Sequence, residues 1–502
     1  MVFVRKKPNK SGLISVQIID KSRGRYRVVK TIGSSTDDEE VKRLVDTGKQ
    51  YIQAHTGTQE IDFFDYKTMY TQVLSSITSH KLVGIEYVLG KLFNEIGFNA
   101  IKDTLFRELV LYRLVFPRSK LKTTEFLYRY EQKSYSEDEI YMYMDKLHSR
   151  QKELIQQISY RHTLRILDGG IQAVFYDVTT IYFEIEQEDD LRKPGFSKEG
   201  RHQHAQIVLG LLVSNGGYPL AYDIFEGNKY EGDTFLPILE GFRQKYGIEK
   251  LTVVADAGLL SKSNIAQLIS KGYHFILGAR IKNEQQSIKD QILQLRLKNG
   301  ESAVIAKDGH HLIVTFSEQR AKKDHHNRER GLKKLEKQIT SGRLTKASIN
   351  NRGYNKFLQL EGDVSISIDY KKTDEDALWD GLKGYLTNSD MSTDDILDSY
   401  KQLWQIEKAF RVAKSELKIR PVYHRKQRRI EAHICINFAA YKVYKELERQ
   451  LKQKQANISP EKVIEIIQNI YEITVITPNN ETIRQTIIMT DEQRMIQNLF
   501  NF

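Results

Sequence analysis

The run of residues 173–183 most constrains the fold, because it places one carboxylate in an otherwise apolar strand. The run is rich in β-branched and aromatic residues, as a buried strand requires. A carboxylate in such a strand is costly to bury unless it is paired or binds a cation. We therefore expect a buried strand here, with Asp177 as a candidate metal ligand.

The elements that follow this strand predict a mixed α/β sheet. The predicted strands are 206–213, 219–225, 251–256 and 273–278, and the predicted helices are 233–246 and 263–272. The second and third strands are joined by a turn with glycine where a positive φ is needed. Three antiparallel strands followed by parallel additions, with helices between them, form a mixed sheet flanked by helices.

Composition narrows the class of protein. The 502 residues exceed one compact core, and 77 Lys and Arg against 65 Asp and Glu give a net charge of +12. This excess favours a nucleic-acid partner, although a solvated basic surface explains it equally well.

The single cysteine, Cys435, excludes an internal disulfide and a cysteine-based zinc cluster, and its apolar surroundings favour a buried thiol over a nucleophile. Without a signal peptide or an apolar run of membrane-spanning length, we expect a soluble, cytoplasmic protein.

Shifts in periodicity predict six regions. They are an N-terminal β-hairpin module (1–58), a helical region that is a possible DNA-binding domain (59–168), the first part of the sheet domain (169–280), an insertion (281–378), the second part of the sheet domain (379–450) and a C-terminal region (451–502). Within the helical region, Ser136 is predicted to cap a helix. Helical hairpins of this kind either contact DNA or simply pack.

The insertion is predicted to be a partly β subdomain that carries a basic helix. Residues 320–346 hold ten Lys and Arg against three Asp and Glu. Such a helix is either a solvated charged surface or a phosphate contact, and the local excess favours the phosphate contact. His325 and His326 lie within it and are expected to be solvated.

Asp256 is the second acidic candidate, at the end of the predicted strand 251–256. Small residues, Ala257 and Gly258, follow it and leave room for a ligand to approach the backbone. A strand-end aspartate is also a common helix cap, so neither Asp177 nor Asp256 is decisive alone.

Glu407 is the third acidic candidate, in a long helix predicted from about residue 394 past residue 414. Tyr400, Glu407 and Lys414 recur every seven residues and share a face, whereas Leu403, Ile406, Phe410 and Ala413 form the core stripe. Glu407 is either a metal ligand beside phosphate-binding groups or half of a surface ion pair with Arg411.

Together, these three segments resemble the insertion-sequence DNA transposases of the Asp-Asp-Glu (DDE) class, which have an RNase H-like catalytic domain. One large group of them carries the motif Tyr-x2-Arg-x3-Glu-x6-Lys. Tyr400, Glu407 and Lys414 match it, while Leu403 stands in place of the arginine, a role that we assign as a hypothesis to Arg411. The resemblance covers residues 170–450, and a β-rich insertion before the glutamate helix is also typical of this family.

The resemblance implies a two-metal phosphoryl transfer. Asp177, Asp256 and Glu407 would be the catalytic residues and would hold two Mg²⁺ or Mn²⁺ ions. The partners would be double-stranded DNA, namely the terminal inverted repeats and the target, with a homodimer in the synaptic complex and no membrane. A transposase of this kind would lie in the bacterial cytoplasm, at the nucleoid when bound to DNA.

Several other side chains are predicted to bind DNA. The run 418–429 has six Lys and Arg and no acid, directly after the glutamate helix. The predicted DNA-binding residues are Tyr400, Trp404, Arg411, Lys414, Arg420, Arg425, Lys426, Arg428 and Arg429. Trp404 holds a flipped base or is a core residue. His202 and His204 suggest a metal site, but with no third ligand nearby, a loop contact to DNA or no role is favoured.

Three functions remain open from the sequence. The first is a catalytic transposase that acts by cut-and-paste on its own element. The second is a non-catalytic DNA-binding protein derived from such an enzyme, which the presence of all three acids disfavours. The third is a nuclease that cleaves without joining, which the N-terminal region and the insertion disfavour. Whether the second strand is cut through a hairpin is not determined.

Overall fold

The computed structural model describes residues 1–22, 24–56, 66–147, 151–168, 170–171, 173–184, 187–197, 200, 203–259, 261–361, 365–477 and 480–502. By its contacts the chain divides into two units, residues 1–79 with 474–484 and residues 80–473 with 485–502. This division is coarser than the six regions inferred from the sequence, whose boundaries stay predictions. Among the described helices, none combines the length and apolar composition needed to cross a membrane.

The N-terminal part is a small antiparallel sheet followed by helices. Its elements are β1 (Val2–Pro8), β2 (Ile14–Asp20), β3 (Arg27–Ser35), α1 (Asp38–Thr56), α2 (Tyr66–Ser75) and β4 (Ile77–Leu82). The predicted hairpin is present as β2 and β3, and β1 adds a third strand on the other side of β2. The charged residues in the second half of β1 hide its strand pattern in the sequence.

The next region is helical, as its periodicity predicts. Its α-helices are α3 (Lys91–Ile96), α4 (Thr104–Val115), α5 (Lys120–Glu131), α6 (Glu137–Leu147) and α7 (Gln151–Ile166). Ser136 caps α6 as predicted: its hydroxyl accepts from the Glu139 amide at 3.1 Å, and the Glu139 carboxylate accepts from the Ser136 amide at 2.7 Å. DNA contact by this region stays a prediction.

The predicted mixed sheet is the centre of the larger unit. Its first elements are β5 (Ala173–Tyr182), β6 (Gln206–Ser214), β7 (Pro219–Glu226), α8 (Glu231–Tyr246), β8 (Thr252–Ala255), α9 (Lys262–Ser270) and β9 (His274–Ala279). The strands lie in the order β7-β6-β5-β8-β9. β5, β6 and β7 are antiparallel, and β8 and β9 run parallel to β5. This is the mixed sheet of an RNase H-like fold, and it confirms the predicted fold class.

The first part of the insertion adds strands to the central sheet. This differs from the sequence-based prediction that the insertion, from residue 281, forms a subdomain of its own. Its elements are α10 (Gln286–Gln294), β10 (Ser302–Lys307), β11 (His310–Phe316), α11 (Glu318–Thr340), β12 (Leu358–Glu361), β13 (Ser365–Ile368) and α12 (Tyr370–Ala377), and β14 (Leu382–Thr387) follows it. β14 pairs with β9, and β11 and β10 follow it, so the sheet has eight strands. Among the described residues, α11, the β12-β13 hairpin and Phe357, the residue before β12, contribute to a small core of their own.

The long helix predicted from residue 394 past residue 414 is wrong, because the chain breaks it into two. The remaining elements are α13 (Thr393–Lys401), α14 (Trp404–Ser415), α15 (Gln427–Gln453), α16 (Pro460–Ile467), β15 (Tyr471–Ile476), β16 (Thr482–Ile487) and α17 (Asp491–Phe500). At the break, the amide of Leu403 bonds to the carbonyl of Tyr400, three residues back. This tighter turn redirects the chain while Leu403 stays buried in the core.

The two faces of the sheet pack against different helices. Phe175 and Val254 face the larger core, to which α4, α14 and α15 contribute. Their neighbours Val174 and Val253 face the other core, which contains residues of α8, α9 and α10. Because side chains alternate along a strand, this division assigns every strand residue near the site to one face.

Candidate active site

Asp177 and Asp256 lie level with each other on neighbouring parallel strands. Phe175 of β5 pairs with Val254 of β8, and each aspartate follows two residues later in its own chain. Both therefore belong to the face of Phe175 and Val254, which is covered in part by α14. Adjacent strands are about 4.8 Å apart, so the topology brings the two backbones together at this position.

The two carboxylates differ in their surroundings. Asp177 is half-buried within β5, whereas Asp256 is exposed just beyond the end of β8. The Asp256 Oδ1 atom accepts a hydrogen bond from the Gly258 amide at 2.7 Å, which orients the carboxylate. The small residues predicted to leave room after Asp256 thus also supply a backbone donor.

Glu407 is presented to the same face from the first turn of α14. The helix packs on β5 and β6, and its buried side chains include Ile406, Ala409 and Phe410, which leaves Glu407 exposed. Within the described part of the chain, Glu407 makes no ion pair with Arg411 or with any other residue. The surface-pair interpretation therefore finds no support, while the predicted core stripe is confirmed.

Tyr400 is influenced by the charges of both Asp256 and Glu407. Burial raises the pKa of its hydroxyl above the usual value, and the negative charges of Asp256 and Glu407 raise it further. The ring packs edge-on against Tyr385 of β14, with 4.7 Å between the centroids. Tyr400 is thus a buried hydroxyl that is influenced by the charges of two of the predicted catalytic acids.

Two cations that the sequence did not single out complete this cluster. The Nζ atom of Lys383 lies 4.6 Å from the centre of the Tyr400 ring. Burial, and then the charge of Arg320, lower the pKa of Lys383, while Glu407 opposes that shift. Lys383 stands on β14, in the second part of the sheet domain, whereas Arg320 lies in the first turn of α11, within the insertion. In the sequence, Arg320 was visible only as part of a basic stretch.

The three acids form an all-oxygen donor set that suits Mg²⁺ or Mn²⁺. Over the described ranges, however, no three His, Cys, Asp or Glu side chains are already close enough together to hold an ion. The oxygen ligands of the three acids, which lie on one face of the sheet, therefore fit Mg²⁺ or Mn²⁺. The three carboxylates do not form an assembled coordination shell in this structure.

The predicted DNA-binding residues fall into two groups. Trp404 is 50% exposed, so it is not a core residue. Arg411, Arg425 and Lys426 are exposed, and Lys414 is half-buried. Arg420 is also half-buried, with its guanidinium 5.7 Å from the centre of the Tyr182 ring at the end of β5. The exposed residues of this group are accessible to a ligand, while Lys414 and Arg420 also make contacts within the protein.

Arg428 and Arg429, by contrast, are engaged within the protein. Arg429 donates from Nε and Nη2 to the two oxygens of Asp145 on α6, at 2.8 and 3.1 Å. Arg428 approaches the same carboxylate at 3.0 Å. Arg429 also lies over the ring of Tyr141, 4.5 Å from its centre. Arg429 thus has a structural partner, and its predicted DNA contact remains untested.

The remaining candidates are placed as follows. Cys435 is buried, and burial raises the pKa of its thiol to about 12, which confirms a structural thiol. His325 and His326 are exposed on α11. His204 is half-buried, with its ring 6.3 Å from that of Tyr182, and His202 lies outside the described residues.

Comparison with known proteins gives the following. Residues 168–442 match the family described as "Transposase DDE domain". Among solved structures, a cryo-EM structure of a piggyBac transposase synaptic complex with hairpin DNA is similar at 10% identity and a TM-score of 0.39, covering 81% of this chain and 80% of that one. A search of curated proteins gave no match.

Proposed function

This chain belongs to the DDE transposase family, and from that premise we propose that it binds the terminal inverted repeats of an insertion sequence, cleaves the DNA there and transfers the ends to a target. The observation that supports this most is the placement of the three acids. Asp177 and Asp256 lie level on adjacent parallel strands, and α14 presents an unpaired Glu407 on the same face.

Asp177, Asp256 and Glu407 would hold two Mg²⁺ or Mn²⁺ ions. When bound, such ions supply Lewis acidity at the attacking and leaving oxygens of a phosphoryl transfer. The chain adds two features of its own. The Tyr400 hydroxyl is protonated at neutral pH, as tyrosine ordinarily is, and would donate a hydrogen bond to a phosphate oxygen. Lys383 and Arg320 place positive charge beside the same position.

The test is divalent-metal-dependent cleavage of DNA that carries the element's own ends, which can be read from the DNA flanking the gene. Glu407→Gln is expected to bind this DNA but to cleave it roughly a thousandfold more slowly or worse. The reason is that the carboxylate would bind the metal ions, whereas its exposed side chain does not stabilise the fold. Asp177→Asn and Asp256→Asn should behave in the same way.

The matched control is Glu416→Gln, an exposed glutamate at the end of the same helix, which should cleave like the wild type. If the wild type binds the ends but does not cut them with either metal, the catalytic proposal fails. The non-catalytic DNA-binding derivative then takes its place. If the ends are nicked but never joined to a target, the nuclease interpretation replaces the transposase.

We further propose that two copies act together in the cytoplasm, because two element ends must be cut and joined in one event. The protein–DNA complex assembled for the cleavage reactions can be used to test this proposal. Light scattering of the complex with end DNA should give the mass of two chains and two DNA ends. A complex of one chain with one end that still completes strand transfer would contradict the dimer.

A further inference from the structure

One basic pocket has none of the three acids in its lining. It has a volume of about 260 Å³ and is bordered by α4, the start of α5, the segment that joins α14 to α15, and α15 itself. Its lining contains five lysines and arginines, two histidines and no acidic residue. The five cations are Arg113, Arg118, Lys120, Lys418 and Arg420.

Two of these cations are buried without a counter-charge. Arg113 is 6% exposed and Lys120 is 4% exposed. Across the described ranges, neither forms an ion pair or a side-chain hydrogen bond. Burial lowers the pKa of Arg113 to about 10, and burial together with Arg113 holds the pKa of Lys120 well below its usual value. Buried charges are normally paired, so two adjacent buried basic side chains with no acidic partner form a site that suits an anion.

Other groups around the pocket are also suited to an anion. α5 begins at Lys120, and the hydroxyl of Ser119 caps it by accepting from the Lys122 amide at 3.2 Å. The amides of the first turn and the helix dipole favour negative charge at this end of a 12-residue helix. His433 lines the pocket as well, but its Nε2 atom donates to the carbonyl of Ile419 at 3.0 Å, so Nδ1 of the neutral ring is an acceptor and contributes nothing to anion binding.

We propose that this pocket binds one phosphate group, and that in the working protein it is a backbone phosphate of the bound DNA. This inference rests on the proposed function for its source of phosphate. The pocket's wall continues along the chain to the exposed Arg425 and Lys426, so a strand seated in the pocket has cations beside it. Arg420 links the pocket to the end of β5, the strand that carries Asp177, through the ring of Tyr182.

The first measurement is thermal unfolding of the wild type with increasing inorganic phosphate, with chloride at equal ionic strength as the reference. Phosphate is expected to raise the melting temperature by several degrees, because it pairs buried cations that are unpaired without it. The double variant Arg113→Met and Lys120→Met should melt no lower than the wild type without phosphate and should lose the shift. Absence of a specific phosphate shift in the wild type would overturn the proposal.

The second measurement is affinity for element-end DNA at several salt concentrations. The double variant is expected to bind about tenfold more weakly, with a salt dependence reduced by about one unit of log K against log salt. Arg129→Met removes an exposed cation from the same helix and should leave the phosphate shift unchanged.

The outcomes separate this proposal from the catalytic one. A phosphate shift that depends on Arg113 and Lys120, without any change in DNA affinity, would make the pocket a site for free phosphate and would refute the DNA source. A double variant that keeps the phosphate shift and also binds and cleaves DNA like the wild type, with Glu407→Gln inactive, would refute the pocket and leave the proposed transposase activity unaffected.

Discussion

At the scale of single residues, the packing of Tyr400 on Gly278 positions the candidate active site. A Cβ atom built on Gly278 would lie 2.5 Å from the Tyr400 hydroxyl and 3.2 Å from the amide nitrogen of Ala257, the residue after Asp256. Glycine is needed here because it allows a buried ring to approach a strand of the central sheet. The same contact couples Tyr400 to the loop that carries the second acid.

Gly278→Ala should therefore lower cleavage by about tenfold to a hundredfold, since the added methyl group displaces either Tyr400 or the Asp256 loop. Gly241→Ala is the matched control, because a Cβ there meets nothing within 4 Å and the helix gains a better helix former. This prediction is tested by measuring the cleavage rate and the circular dichroism spectrum of both variants. Equal rates for Gly278→Ala and the wild type would show that Tyr400 does not position the site.

At the scale of elements, one ion pair attaches the basic helix of the insertion to the sheet. The guanidinium of Arg328, on α11, donates to both oxygens of Asp380 at 2.6 and 2.7 Å, and Asp380 lies just before β14. The Arg328 side chain is 8% exposed, so the pair is largely shielded from water. Since Lys383 stands on β14 and Arg320 on α11, this attachment also sets where both cations lie.

Arg328→Met is expected to cost about 2 kcal/mol of stability, because it leaves a shielded carboxylate without its two hydrogen bonds. It should also reduce cleavage, through displacement of Arg320. Urea unfolding and the cleavage rate are the two readouts. Arg330→Met, an exposed arginine on the same helix, should change neither. A variant of Arg328 as stable as the wild type would contradict the attachment.

At the scale of the whole molecule, the net charge of +12 predicts that DNA binding weakens steeply with salt. The sequence left two interpretations of α11, a solvated helix or a phosphate contact. Its exposed residues include Lys333 and Lys334. If both contact phosphates, changing them to glutamine should reduce the slope of log K against log salt by about two units, as measured by fluorescence anisotropy.

The control for that measurement is Glu336→Gln on the same exposed surface, which removes a negative charge and should not reduce the slope. A slope that stays the same in the double lysine variant would favour the solvated helix. DNA binding would then depend on other cations, such as those of the segment after α14.

The sequence by itself predicted the succession of the central strands and helices along the chain, and it singled out the three acids as candidates. Strand periodicity, glycine at the turn before β7 and the cap at Ser136 are local signals, because they depend on residues close together in the chain. The motif around Glu407 and the aspartates in strands 173–183 and 251–256 could also be recognised from residues close together in the chain. The core stripe from Ile406 to Ala413 could likewise be predicted from spacing alone.

Only the tertiary structure decided which residues surround those acids. The chain interrupts the predicted helix between Lys401 and Trp404, and the joining of β14 to β9 brings Lys383 and Arg320 to the site. Arg429 could not be separated from the other basic residues of its run until Asp145, 284 residues away, paired with it. The burial of Arg113 beside Lys120 is also a product of packing. Such contacts join segments far apart in the chain, so no local pattern records them.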